Sequence, residues 1–252
     1  MFEFDADRDE VIARARVAGL GAVVTMGVDL ASCRRAIQLA EQYDIVYAAV
    51  GFHPYAAAEL DSKALSELEG LCAHPKVVAV GEIGLDFHRE GLPPRPVQQQ
   101  TLNRQLDLAA SVGLPVAVHD REAHEETLES IRAWVQRSPG YEDRPRGVMH
   151  CFSGDVDLAR EYVAMGFLVS IAGPITYPKS DQLRQVAREI ELESLLIETD
   201  CPYLTPAPYR GKRNEPGHVG LVAAAVALER GTELVTVEET IGRNARRLFR
   251  LP

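Results

Sequence analysis

Five residues able to hold a metal or move a proton stand just past short apolar runs. They are His53 in VGFHP, Glu82 in VVAVGEIGLD, His119 in PVAVH, His150 in GVMH and Asp200 in LLIETDCPYL. A carboxylate such as Glu82 at the mouth of a buried strand is costly unless it is paired or bound to a cation. Taken singly, each has a plain structural reading: a salt-bridged carboxylate, a satisfied core histidine, a turn histidine before Pro54. Taken together, Glu82, His119 and His150 make two imidazoles and one carboxylate, a ligand set for zinc or another divalent ion. Asp200 can reach a metal or a water. Glu198, two positions earlier, is expected to face the same way along an extended strand and to act structurally or behind the ligands. Asp86 is expected in a loop, as a cap or a group behind the ligands.

The string PYRGKRNEPGHV adds Arg210, Lys212, Arg213 and Asn214 after the last apolar run. Phosphate sites in α/β barrels often form there, and arginine pairs well with phosphate oxygens. The competing reading is a solvated surface charge run. The formal net charge of −10 does not favour broad binding to nucleic acid, so any polyanion contact depends on a local cluster of this kind.

The elements that must position these groups are seven apolar runs: 22–26, 45–50, 77–80, 115–118, 147–149, 167–171 and 195–197. They are rich in Val, Ile, Leu and Ala without clean polar alternation, as strands buried on both faces are. Between them lie amphipathic stretches. Leu102, Leu106 and Ala109 recur at helical spacing before Gly113, and Val237, Ile241, Ala245 and Leu248 do the same near the C-terminus. Helix stops fall at Gly19, Gly113 and Gly166. Strand–helix alternation predicts a parallel sheet. An open sheet concentrates its site at one switch point, whereas here polar groups follow runs spread along the whole chain. That predicts a TIM (β/α)8-type barrel with its first strand missing, as one domain over residues 1–252.

No apolar run approaches the roughly 18 residues of a membrane span, and no secretory leader is expected. Cys33, Cys72, Cys151 and Cys201 are far apart with no C-x-x-C, which predicts reduced thiols in a cytoplasmic protein.

The strings GFHP, VGEIGLD, PVAVHDREA, HCFSG, ETDCPYL and RGKRNEP, in this order, resemble the TatD family of metal-dependent hydrolases. The resemblance runs from about Asp5 to the C-terminal RNARRLF. It implies a barrel of the amidohydrolase type and phosphodiesterase activity on DNA, usually as a 3′-to-5′ exonuclease. It also implies that Glu82 bridges two metals, that His119 and His150 complete one, and that Asp200 binds the other and helps activate the attacking water. His53 and the basic loop would hold the scissile phosphate.

Members of that family open with a strand carrying Asp-x-His-x-His-Leu. This chain begins MFEFDADRDEVI, and no His-x-His occurs in its first fifty residues. One metal position is therefore well supplied and the second is incomplete. At most one divalent ion (zinc, magnesium or manganese) is expected to bind tightly, with impaired turnover. Two other readings share the pattern: hydrolysis of a small ester, amide or phosphoester on the same barrel, and a degenerate barrel that binds metal without turnover.

Overall fold

A computed structural model describes residues 2–138, 141 and 143–252. The strands are β1 (Val23–Met26), β2 (Val46–Val50), β3 (Val77–Asp86), β4 (Val116–Arg121), β5 (Gly147–Met149), β6 (Phe167–Ile171) and β7 (Leu195–Ile197). The helices are α1 (Arg8–Val17), α2 (Leu30–Gln42), α3 (Ser62–Cys72), α4 (Arg95–Val112), α5 (His124–Arg137), α6 (Val156–Ala164), α7 (Asp181–Glu189), α8 (Val219–Arg230) and α9 (Leu234–Phe249). All strands belong to a parallel α/β sheet in which sheet order equals chain order. Each predicted apolar run contains the start of one of these strands, and the parallel class is the one observed.

By packing, the chain forms two compact units. One comprises residues 22–150, 164–167 and 246–252, and the other residues 1–21, 151–163 and 168–245. The first holds β1 to β5. Two of its helices, α2 and α3, start where an aspartate side chain caps them. Asp29 accepts from Ser32 N–H at 2.7 Å while Ser32 Oγ accepts from Asp29 N–H at 3.0 Å, a reciprocal cap on α2. Asp61 accepts from Ala64 N–H to start α3. Gly113 ends α4 at φ 68°, a left-handed stop that glycine adopts without strain. The core is Val, Ile, Leu and Ala from the strands, with Trp134, Phe52 and Phe167 fully buried.

Two strands run further than their apolar runs. β3 extends to Asp86 and β4 to Arg121, so Glu82, Asp86 and His119 lie within strands rather than in loops after them. The register explains it. Val80 pairs with Val116 and Ile83 with Val118, so β3 carries one extra residue across Gly81–Glu82 before pairing resumes through Asp86 and Arg121. A bulge of this kind bends the strand and re-aims a side chain, here Glu82. The Gly81–Glu82 peptide bond is cis. Close approach of β3 to β4 needs glycine at position 84, where a Cβ would fall onto the His119 carbonyl oxygen.

One face of α4 fixes the strand ends. Gln98, Thr101 and Gln105 are buried polar residues at helical spacing. Gln105 accepts from Phe52 N–H at 2.7 Å and donates to Phe52 O at 3.0 Å. Gln98 does the same for Asp86, at 2.9 and 3.1 Å, and Thr101 donates to Ala57 O.

In the second unit, β6 and β7 pair in parallel from Val169–Leu195 to Ile171–Ile197. Beyond β7 a main-chain bond from Glu198 N–H to Ile171 O continues the ladder. Residues 198–200 are not a strand and Asp200 has φ 51°, so the expected same-facing alternation of Glu198 and Asp200 does not apply.

Candidate metal centre

Glu82 is the middle of the site. Its main chain is tied to the residue just after β1 through the bond from its N–H to Gly27 O at 3.0 Å. Its Oε1 lies 2.8 Å from His119 Nδ1, 3.9 Å from His53 Nε2 and 3.9 Å from His150 Nε2. His150 is held at the end of β5, where its N–H donates to Val118 O. His53 follows β2, and its N–H donates to Val28 O. On the far side of His119, Nε2 is 3.4 Å from Asp86 Oδ2. Asp86 is 2% exposed, and its other oxygen accepts from the main-chain N–H groups of His88 and Arg89.

The charges are strongly coupled. Burial favours the neutral acid in Glu82, but His150, His119 and His53 outweigh it and hold the carboxyl well below its usual range. Burial opposes charge on His119 too, yet its hydrogen bonds to Asp86 and Glu82 hold it up at about 9. Asp86 is kept at about 2 by His119 and the two N–H donors, against its own burial. His53 goes the other way: burial pushes it down to about 4 despite the pull of Glu82.

This arrangement suits a divalent cation. The donor atoms of His53, Glu82 and His119 lie within 4.8 Å of one another. Donors about 2.1 Å from a shared tetrahedral ion stand about 3.4 Å apart, and the contacts to Glu82 bracket that spacing. Two carboxylates already favour positive charge at His119. Asp86 accepts from one ring nitrogen and so fixes the other toward Glu82, the carboxylate–histidine pattern that orients metal ligands.

The remaining predicted residues lie in the second unit. Glu198 accepts from Cys151 N–H. Asp200 begins a tight turn in which its carbonyl accepts from Tyr203 N–H at 3.0 Å. Asn214 is fully buried, and its amide donates to Thr199 O and Tyr203 O, both at 2.7 Å, stapling the turn on either side of Asp200. Arg213 is engaged by acids. It makes a bidentate pair with Asp7 at 2.7 and 2.6 Å and bonds Glu215 at 3.0 Å. Arg14 completes the quartet on Glu215 at 2.8 and 2.9 Å. Arg210 and Lys212 keep exposed heads, Arg210 over the Tyr177 ring at 4.3 Å.

The α4 clamps, Gln98 and Gln105, escaped the sequence reading because buried glutamines look like the solvent face of a helix. Asp7 and Arg14 escaped it because their partners are about 200 positions away, although an Arg-Asn-Glu string does call for acidic and basic partners.

Fold and site together are those of a metal-dependent hydrolase built on parallel strands. A family model described as TatD related DNase matches residues 1–250. The metal-dependent hydrolase YabD of Bacillus subtilis (strain 168) is 39% identical over 249 residues, covering 99% of this chain and 95% of the relative. The protein named 3′-5′ ssDNA/RNA exonuclease TatD of Cronobacter sakazakii is 37% identical, covering 98% and 93%. Among solved structures, YJJV, a TatD homologue from Escherichia coli K12, superposes with a TM-score of 0.90 at 32% identity, covering 99% and 94%. The chain belongs to the TatD family. Among the described residues, no helix is long and apolar enough to cross a membrane.

Proposed function

We propose that the chain is a divalent-metal-dependent phosphodiesterase that removes nucleotides from the 3′ end of single-stranded DNA or RNA. The observation that carries this is the convergence of His53, His119 and His150 on the single carboxylate of Glu82. Relatives at 34–40% identity over nearly the whole chain, several of them named as single-strand exonucleases, support the substrate class.

Glu82, His119 and His150 would hold the ion, with Asp86 orienting His119. Mixed imidazole and carboxylate donors favour zinc or manganese over magnesium. The chemistry such an ion supplies is charge neutralisation at the phosphoryl group and acidification of water. His53 has a separate job. Its Nδ1 accepts from Tyr55 N–H at 3.3 Å, so the neutral ring carries its proton on Nε2, the nitrogen that faces Glu82. In that tautomer the ring donates from Nε2 to a phosphate oxygen, and the ion would rest on the other donors of the cluster. Asp200 takes the proton of the attacking water. Arg210 and Lys212 hold the phosphate backbone, while Arg213 and Asn214 act by keeping their loop in shape.

The test is a 5′-labelled single-stranded oligonucleotide incubated with purified protein and manganese, beside a panel of small esters and dipeptides. Products shortened stepwise from the 3′ end, with no turnover of the panel, are expected. Turnover of the panel alone would overturn the reading.

A further inference from the structure

Tyr55 stands two residues from His53 and has no part in holding a metal. The residue is 40% exposed, in a chain whose large apolar side chains are otherwise mostly buried. The ring lies 4.9 Å from the His53 ring at 39°, and His53 lies 4.5 Å from the His119 ring at 62°. A line of three rings thus leads from solvent to Glu82. We propose that Tyr55 is the stacking platform for the base of the nucleotide whose phosphodiester is cleaved. This deepens the nuclease reading and rests on it.

Three features of the site argue for a base in that position. First, the platform is rigid. Residues Pro54–Glu59 form a 3-10 turn whose start is capped by His53 Nδ1. Thr101 pins Ala57 O at 2.9 Å, and Gln105 holds both polar groups of Phe52 just before it. An aromatic fixed this way loses little freedom on binding. Second, the ring's neighbours are acidic. Asp29, Glu59 and Glu82 all act electrostatically on its hydroxyl. Negative surroundings repel a phosphate and accept the uncharged part of a nucleotide. Third, the geometry matches the roles already assigned. His53 offers Nε2–H toward the metal centre, and Tyr55 follows on its solvent side, so phosphate and base fall on adjacent rings. Every base has a π-face, so stacking of this kind is tolerant of sequence. Tyr209 is less suited, because one face is already covered by His218 at 4.7 Å and 8°.

The experiment measures kcat/KM on two single-stranded oligonucleotides, one with an ordinary 3′-terminal nucleotide and one whose terminal residue is abasic but keeps the same phosphodiester. Wild type should prefer the base-bearing end by about tenfold, in line with the energy of a single stacked base. Tyr55→Ala should reduce that preference to about onefold, mainly through KM. Tyr55→Phe should keep it, and Tyr55→Leu, which fills the space without a π-face, should lose it. No preference in the wild type, or equal losses on both oligonucleotides in Tyr55→Ala and Tyr55→Leu, would overturn the platform while leaving the nuclease reading intact. Failure of the wild type to cleave either oligonucleotide would overturn both.

Discussion

Glu82 and His119 meet across 37 positions of sequence, with Oε1 and Nδ1 2.8 Å apart. The contact exists because the bulge at Gly81–Glu82 turns a carboxylate toward β4 just where β4 carries its histidine. Behind His119, Asp86 sets the direction of the ring. The pair is thus positioned by backbone register on one side and by a buried carboxylate on the other.

The carboxylate behind the ring can be tested without disturbing the fold. Asp86→Asn keeps the size and the oxygen that accepts from His88 and Arg89, but removes the charge facing His119 Nε2. Metal affinity measured by calorimetry should fall about 10- to 100-fold, with little change in melting temperature. Unchanged affinity would show that Asp86 does not orient a ligand.

Position 84 tests the register. An added methyl at Gly84 would fall onto the His119 carbonyl, and the backbone there (φ 150°) is one that side chains rarely adopt. Gly84→Ala should cost more than about 3 kcal/mol in urea unfolding, because β3 and β4 must separate to admit it. A variant with wild-type stability would mean that the two strands have slack at the site.

Asn214 gives a separate test in the second unit. Its amide satisfies the carbonyls flanking Asp200, and its oxygen accepts from Glu215 N–H and His218. Asn214→Ala should destabilise the protein by about 2 kcal/mol, as the loss of buried hydrogen-bond partners does. It should also lower kcat far more than KM, because the turn carrying Asp200 loosens while the exposed cations remain. A rise in KM alone would return Asn214 to a phosphate-binding role.

The Asp7–Arg213 pair predicts a pH dependence. The hydrogen bond to Arg213 holds the Asp7 carboxyl at about 2, against its ordinary 3.8. A lowered native pKa means stability that is complete above the ordinary value and lost as pH falls through the native one. Asp7→Asn should therefore lower the urea midpoint at pH 6, and the gap from wild type should close between about pH 4 and pH 2. A gap that persists at pH 2 would assign the effect to shape rather than charge.

Much of this was legible in the sequence because buried parallel strands announce themselves as apolar runs. All seven runs became strands, and Gly19, Gly113 and Gly166 all take positive φ. The convergence of His53, Glu82, His119 and His150 was likewise readable, since parallel strands in chain order bring their ends together. Three things were not. The bulge at Glu82 depends on pairing between strands, so Asp86 looked like a loop residue although it is buried in β3. The Asp7, Arg14, Arg213 and Glu215 quartet joins distant charges, so the Arg213 string read as a cluster of free cations. The glutamines of α4 bond to main-chain groups, which carry no sequence signal.

The central claim is that Glu82 and its histidines make a metal centre on which phosphodiester hydrolysis depends. The direct measurement is the rate of 3′-terminal nucleotide release from a single-stranded oligonucleotide as manganese is titrated into metal-free protein, for wild type and Glu82→Gln. The account predicts no release without metal, a saturable rise in the wild type, and at least about a hundredfold lower rate in Glu82→Gln at every concentration. Release that is independent of metal, or equal in the two proteins, would contradict it.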